Sequence, residues 1–279
     1  MSFPSYLQVS RPIVVGAKSP VDRRRRALER VNKELTRGNY ETALSLFPKK
    51  VDTLDMSRKT HLSEIRSLID SVSRSIETVS AQENSVRIFK QEETKTSPEE
   101  DWFAVVQHES GHFLVGYLLG VLPRHYEIPS LEAIRQNASS VTGRVEFVGF
   151  EFLREVGAAN QLVKHNVDSQ MNLSDPQGNI PSKTLNNFSC VILGGMVAEE
   201  ILFGYSEGFY SDVVKLNSVL QWLGFREKEK EAHIRWAASN TVSLLHSYSE
   251  ARVSLAQAMA NSKPIGACIE AIESAISTS

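Results

Sequence analysis

The strongest constraint on the fold is a cluster of polar residues in the middle of an apolar helix. Residues 108–112 read HESGH and have aliphatic side chains on both sides. A helix-start signature precedes them, because Ser97 is followed by a proline and, three positions on, by Glu100. A helix is therefore predicted from Pro98 to about Gly120, inside the core. Histidine and glutamate are costly to bury without partners, so the fold must bring partners to this helix.

The spacing of the two histidines predicts a metal site. His108 and His112 are four positions apart, so they lie one turn apart on the same helix face, and both imidazoles can reach one ion. Catalytic zinc takes three protein ligands and a water molecule, and it favours neutral imidazole nitrogen. Glu109 projects about 100° around the helix from His108, which places its carboxylate beside that water rather than on the metal. Glu109 is therefore the predicted general base.

The residue pattern leaves the third metal ligand open. In the pattern HExxHxxGxxH a third histidine follows closely, but here aliphatic residues occupy the positions of that glycine and that histidine. A carboxylate must therefore come from farther along the chain. The candidates are Glu199 and Glu200, in a predicted buried helix over residues 185–203, and Asp212, at the start of the next predicted helix. Taken alone, Asp212 is more typical of a helix cap than of a metal ligand.

Two separated segments resemble the peptidase domain of FtsH, the zinc protease module of AAA-linked membrane proteases. HESGH, with glycine at its fourth position, is similar to the HEAGH of that family, and residues 194–204, GGMVAEEILFG, are similar to its GGRAAEELIFG. In the family an aspartate at the start of the next helix completes the zinc site, and Asp212 occupies that place here. The resemblance covers about Trp102 to Ile276.

The resemblance implies a fold and a set of roles. Residues 97–279 are expected to form an FtsH-like metallopeptidase domain that is mainly α with a small β element, a helical zincin-like architecture. The paired glycines at 194–195 are expected to let their helix pack closely on the zinc helix. Glu199 and Glu200 then become buried structural carboxylates that need hydrogen-bond partners. The implied site is Glu109 as the catalytic base and, as ligands of Zn²⁺, His108, His112 and Asp212.

Departures from the family pattern shape the predicted activity. No GxxxxGK[ST] phosphate-binding motif occurs in the chain, so it is not expected to unfold substrates with ATP. Met196 stands where the family has arginine, and the segment from Pro123 to Lys183 matches the family poorly. The predicted function is an ATP-independent zinc metalloendopeptidase that cleaves unfolded or peptide substrates. The alternative is a non-proteolytic FtsH-like scaffold or binding protein. A homo-oligomer and association with FtsH-type proteases are both left open.

The first third of the chain is predicted to precede this domain as a separate part. Residues 1–21 contain several serines and no acid, which is typical of an organelle transit peptide or of a flexible terminus. They are the basis for a predicted chloroplast location, with the cytoplasm as the alternative. Residues 22–96 are predicted to form a helical hairpin, a further helix over 57–80 and a polar linker. The predicted strands are two short alternating stretches, 126–128 and 144–148.

Composition excludes several classes of protein. The net charge is -2 without a basic excess, so no nucleic-acid partner is predicted, and the run from Arg23 to Arg26 is interpreted as a solvated helix face. Two cysteines without a CxxC pair indicate buried thiols in a reducing compartment. The longest apolar runs fall far short of the ~20 residues that cross a bilayer, so no transmembrane span is predicted.

Overall fold

The protein is built from helices and one small sheet. The computed structural model describes residues 20–46, 62–83, 97–137, 142–165, 178–206 and 209–278. Within these ranges the fold has twelve helices and one two-stranded sheet, so the predicted mainly α class with a small β element is confirmed. The predicted N-terminal tail up to residue 19 and the linker over 84–96 lie outside the described residues. The elements in chain order are α1 (Pro20–Thr36), α2 (Tyr40–Leu46), α3 (Leu62–Glu83), α4 (Pro98–Leu118), β1 (Pro123–Glu127), α5 (Leu131–Asn137), β2 (Arg144–Phe147), α6 (Leu153–His165), α7 (Ser182–Ile192), α8 (Gly194–Phe203), α9 (Phe209–Trp222), α10 (Glu227–Ser247), α11 (Ser249–Ala260) and α12 (Ile265–Thr278).

Helix α4 lies at the centre of the fold. Its N-terminus forms the predicted capping box, in which the Glu100 backbone N–H donates to the Ser97 hydroxyl at 3.3 Å and the Ser97 N–H donates to the Glu100 carboxylate at 2.9 Å. Every residue from Glu109 to Leu118 is buried, so this half of α4 is covered on all sides. Helices α7, α8, α10 and α11 and both strands pack around it. The HESGH segment is therefore held in the core, as its apolar surroundings predict.

Glycines allow close contact between α4 and α8. A Cβ on Gly111 would lie 2.2 Å from the Gly194 carbonyl oxygen, and a Cβ on Gly194 would lie 2.7 Å from the Gly111 carbonyl oxygen. The two backbones therefore touch, and the close packing expected from the paired glycines is present. The predicted helix over residues 185–203 is divided at Leu193 into α7 and α8.

The two strands form a hairpin-like antiparallel pair that rests on α4. Tyr126 faces Val145, and the pairing becomes irregular toward Pro123, where β1 begins earlier than predicted. β2 packs on α4 because the ring of Phe147 occupies the space that a side chain on Gly116 would need: a Cβ there would lie 2.2 Å from the ring. This contact matters for the site, since it fixes where the start of β2 lies along α4.

Two helices and, besides the division at Leu193, a second helix break differ from the prediction. α5 lies between the two predicted strands and α6 follows the second one, where no helix was predicted, and α5 has 7 residues, too few for a clear period. The apolar spacing of residues 227–262 predicts one continuous helix, which is wrong because the structure divides it at Tyr248, where φ is −117° and ψ is 36°. No glycine or proline marks that position. The packing of α11 on α4 and α12 accompanies the break, so tertiary contacts override local propensity.

Helix α1 packs on α2 and on the C-terminal helix α12. Arg24 donates through Nε to Glu273 at 2.8 Å, and Arg25 donates through Nε to Glu270 at 2.9 Å. The side chain of Arg24 is 18% exposed, so the interpretation of the arginine run as a solvated face is wrong for this residue. These two arginines are therefore engaged within the chain.

Helix α3 packs on α8, α9 and α10. Its Val72 and Ile76 are buried and belong to the same hydrophobic cluster as Phe113 of α4. The core therefore runs across the boundary that the sequence suggested near residue 97, and the helices on both sides of that boundary stabilise each other.

One helical run among the described residues, Ser182–Phe203, is long and apolar enough to cross a membrane. It comprises α7 and α8, and 78% of its most apolar window is buried inside the molecule. The buried core helix of a soluble protein meets the same criterion, so the expected absence of a transmembrane span stays a prediction.

Candidate metal centre

Three side chains from two helices meet at one point in the core. α4 contributes His108 and His112, and the first turn of α9 contributes Asp212. The Nε2 atoms of the two histidines are 3.0 Å apart, and Asp212 Oδ2 lies 3.0 Å from His108 Nε2 and 3.1 Å from His112 Nε2. The three atoms therefore form a nearly equilateral triangle. The structure brings Asp212 to the histidines although it follows His108 by 104 positions.

Hydrogen bonds on the far side of each ring orient both histidines toward this triangle. His112 Nδ1 lies 2.7 Å from the Val191 carbonyl oxygen, and since a carbonyl only accepts, this nitrogen carries the proton. His108 Nδ1 lies 2.6 Å from Oε1 of Glu199, which assigns its proton in the same way. In a neutral ring a proton on Nδ1 leaves a lone pair on Nε2, which is the form in which imidazole binds a metal.

Glu199 supports the site without belonging to the ligand triangle. One carboxylate oxygen contacts the far nitrogen of His108, and the other accepts a hydrogen bond from Ser206 Oγ at 2.6 Å. The carboxylate thus lies on the side of the ring that points away from Asp212. Glu199 is excluded as the third ligand in this arrangement and instead fixes the orientation of His108.

Glu200 faces a different side of α8, toward α3. Ser71 and Ser75 of α3 donate hydrogen bonds to its two carboxylate oxygens at 3.0 and 3.2 Å. We call this contact the α3 seam, formed by Ser71, Ser75 and Glu200. Glu200 is therefore outside the candidate metal centre, and it has the hydrogen-bond partners expected of a buried structural carboxylate.

The neighbouring groups at the metal centre lower the pKa of Asp212 and raise the pKa of His108. Burial alone would raise the pKa of Asp212, but the adjacent His112 and His108 outweigh burial and hold that pKa far below its usual range. Burial alone would lower the pKa of His108, but its hydrogen bonds with Asp212 and Glu199 raise that pKa well above its usual value. Asp212 is therefore an anion at neutral pH, and a metal ion that binds here competes with a proton on His108.

Glu109 lies beside the ligand triangle and is not one of its corners. Glu109 is 5% exposed, and burial raises the pKa of its carboxyl above the usual value, more strongly than the nearby histidines lower it. The backbone just before β2 covers it, since a Cβ on Gly143 would lie 2.5 Å from Glu109 Cγ. The predicted general base is therefore next to the predicted ligands, in a confined position.

The donor set fits a divalent cation. Ligand atoms of tetrahedral zinc with bonds of about 2.0–2.1 Å lie about 3.3–3.4 Å apart. The three atoms here are 3.0 to 3.1 Å apart, so small outward shifts of the side chains are enough to accept an ion. His108, His112 and Asp212 could therefore hold a metal ion. Two imidazoles and a carboxylate suit zinc and also other first-row divalent metals.

His108, Glu109, His112 and Asp212 were predicted from the sequence, and the structure places all four together. The residues that orient or cover them were not predicted, namely Val191, Ser206 and Gly143. A backbone carbonyl carries no side-chain signal, and one serine among many gives no local signal either. A glycine at the edge of a predicted strand is a weak indication of close backbone approach, which is the one signal that was available.

Comparisons with known proteins found no relative of the chain. No protein-family model, no curated protein and no solved structure matches the chain. Its function must therefore be inferred from the chemistry of the candidate metal centre.

Proposed function

We propose that the protein is an ATP-independent zinc metalloendopeptidase. One observation supports this most strongly: two imidazole nitrogens and a carboxylate oxygen converge within 3.1 Å of one another, with the unligated carboxylate of Glu109 beside them. Three ligands and an adjacent acid–base group are the protein parts of a metal-dependent hydrolase. The resemblance of residues 108–112 and 194–204 to FtsH-type zincin-like peptidases supports the same class.

The residues of the centre have separable roles in this proposal. His108 and His112 bind the cation through Nε2, and Asp212 binds it through Oδ2. Zinc, when bound, supplies a Lewis acid that lowers the pKa of water and polarises a carbonyl group. Glu109 accepts a proton at its carboxylate, and burial brings its pKa closer to that of an effective general base. Glu199 holds the His108 ring in the orientation that binding requires.

The proposed substrate is an unfolded or short polypeptide. His112 and Asp212 are 7% and 4% exposed, so the ligands lie below the surface and a folded substrate has little access to them. An extended chain is narrow enough to approach such a site. The sequence contains no phosphate-binding loop with which this chain could unfold a substrate. A plastid location, self-association and assembly with FtsH-type proteases stay predictions.

A non-catalytic metal-binding scaffold is the second candidate. The low exposure of Glu109, His112 and Asp212, between 4% and 7%, favours it, because it limits the access of a substrate to the centre. The two candidates differ in one property: only the peptidase needs Glu109 for turnover. Both need the three ligands to bind the metal.

The discriminating experiment combines metal analysis with cleavage of unfolded casein. The wild-type protein is expected to contain about one zinc per chain and to cleave casein in a chelator-sensitive way. Glu109→Gln keeps the shape of the side chain but removes the proton acceptor, so activity should fall about 100-fold or more with zinc content unchanged. Glu132→Gln, the same change at an exposed position of α5, should retain activity.

Two outcomes would contradict the peptidase proposal. Casein cleavage by Glu109→Gln at the wild-type rate would remove Glu109 as the base. A protein that binds zinc stoichiometrically but shows no chelator-sensitive cleavage would leave the scaffold as the function that the centre serves.

A further inference from the structure

We propose that Gly143 is a positioning residue for the general base, because its bare backbone forms the wall against which the Glu109 side chain lies. This inference rests on the peptidase function proposed above. Gly143 directly precedes β2 and belongs neither to the HESGH motif nor to the ligand set. Its role is to leave space for another residue.

The space at Gly143 is already occupied by Glu109. A Cβ built on Gly143 would lie 2.5 Å from Glu109 Cγ, 2.8 Å from Oε1 and 2.9 Å from Cδ. Real Cβ atoms essentially never come closer than 3.0 Å to other heavy atoms, so any other residue requires Glu109 to move. The φ of Gly143 is not in the left-handed region. Glycine is therefore required here for space and not for backbone conformation.

A second contact fixes Gly143 over Glu109. At the other end of β2, the ring of Phe147 fills the space above Gly116 of α4. From Glu109 to Gly116 the helix rises about 10 Å, and from Gly143 to Phe147 an extended strand spans about 13 Å. These spans are similar, so one strand lying along α4 makes both contacts. Gly116 of α4 leaves space for the side chain of Phe147 in β2. Gly143, just before β2, leaves space for the side chain of Glu109 in α4.

A side chain at position 143 is expected to displace Glu109 rather than the strand. The wall is backbone, and its neighbour Arg144 pairs with Glu127 in the antiparallel ladder. The Glu109 side chain, in contrast, has rotatable bonds and can turn away at small cost. The three atoms nearest to that Cβ all belong to Glu109, so the ligand atoms are expected to stay in place. The expected signature of Gly143→Ala is therefore loss of catalysis with the metal retained.

The test compares Gly143→Ala with Gly157→Ala. Gly157 is exposed on α6, and a Cβ there would have no atom within 4 Å, so it is the matched control. We expect Gly143→Ala to lower kcat on a casein-derived peptide by at least about tenfold, with zinc content unchanged and KM within about twofold. Gly157→Ala should keep the wild-type kcat. Unchanged kcat in Gly143→Ala, or joint loss of zinc and activity, would overturn the proposal, since joint loss indicates a purely structural role.

A conservative change at the base supplies a rescue test. Glu109→Asp withdraws the carboxylate by one methylene and relieves the contact with an added methyl group. In the wild-type background Glu109→Asp should lower kcat, whereas in the Gly143→Ala background it should cause no further loss. Multiplicative losses in the double variant would show that the two residues act separately, which contradicts the positioning role.

A stability readout tests the contact without relying on peptidase activity. Gly143→Ala should lower the melting temperature by about 1–3 °C in the wild-type background and leave it unchanged in the Glu109→Ala background, where the opposing side chain is absent. If this dependence on the Glu109 background is observed in a protein that shows no chelator-sensitive cleavage, only the proposed peptidase function is contradicted. Cleavage without the coupling would contradict the role of Gly143 alone.

Discussion

Helix α8 lies between two regions that use buried carboxylates in different ways, the metal centre and the α3 seam. Glu199 and Glu200 are consecutive on this helix, and they are 5% and 3% exposed. Glu199 faces the metal centre, where it contacts His108 Nδ1. Glu200 faces the α3 seam, where it accepts hydrogen bonds from the hydroxyl groups of Ser71 and Ser75.

Burial alone does not assign a role to a carboxylate. Glu199 contacts a histidine of the ligand triangle, so it sets the orientation and the proton position of that ring. Glu200 accepts hydrogen bonds from neutral hydroxyls, so it contributes to helix packing and is not connected to the ligands. The two residues have the same chemistry and nearly the same burial. Only their hydrogen-bond partners show that Glu199 belongs to the metal centre and that Glu200 belongs to the helix packing.

The largest expected difference between the two regions is in metal affinity. Glu199→Gln removes the charge behind His108, and replacing such a partner commonly weakens metal binding about 10- to 100-fold. Glu200→Gln should change zinc affinity by less than about twofold, because serine hydroxyls can donate to or accept from the new amide. Competition with a chromogenic chelator at fixed pH measures both. Equal effects of the two substitutions would remove the distinction between the regions.

The second expected difference is in stability. Replacing both Ser71 and Ser75 by alanine leaves the Glu200 carboxylate buried without its two hydroxyl donors. The free energy of unfolding should fall by about 1–3 kcal/mol, with zinc affinity unchanged. Urea unfolding measures the change, and Ser67→Ala, at an exposed position of the same helix, is the control. A loss of zinc affinity as large as that of Glu199→Gln would show that the α3 seam is coupled to the metal centre.

The smallest effect is expected at a buried group whose side chain faces neither region. The Cys190 thiol of α7 faces α10, and burial raises its pKa from 9.0 to about 11. Because the folded-state pKa is the higher one, this stabilisation is fully present below pH 9 and is lost as the pH rises toward 11. Between about pH 8 and pH 10 the free energy of unfolding should fall by about 1 kcal/mol more in the wild type than in Cys190→Ser. If urea unfolding shows the same fall in the free energy of unfolding for both proteins, a thiol whose pKa is raised by burial is contradicted.

Local patterns predicted the elements that depend on neighbours in the chain. The capping box at Ser97 and Glu100 is present as predicted, and α4 ends at Leu118, close to the predicted end at Gly120. The break at Tyr248 could not be predicted, because it follows from how α11 packs and no residue there disfavours a helix. The same holds for α3, whose apolar stripe gave no indication that it would pack on α8 and partner Glu200.

The spacing of His108 and His112 was sufficient to place two imidazoles on one face, because helical geometry repeats with a period that depends on no distant residue. The pattern of residues left three acids as candidates for the third corner, and the family resemblance favoured one of them. The packing of α8 and α9 on α4 placed Asp212 in the triangle, Glu199 behind His108 and Glu200 outside the centre. Contacts across 104 positions depend on how whole helices pack, and no local spacing encodes that.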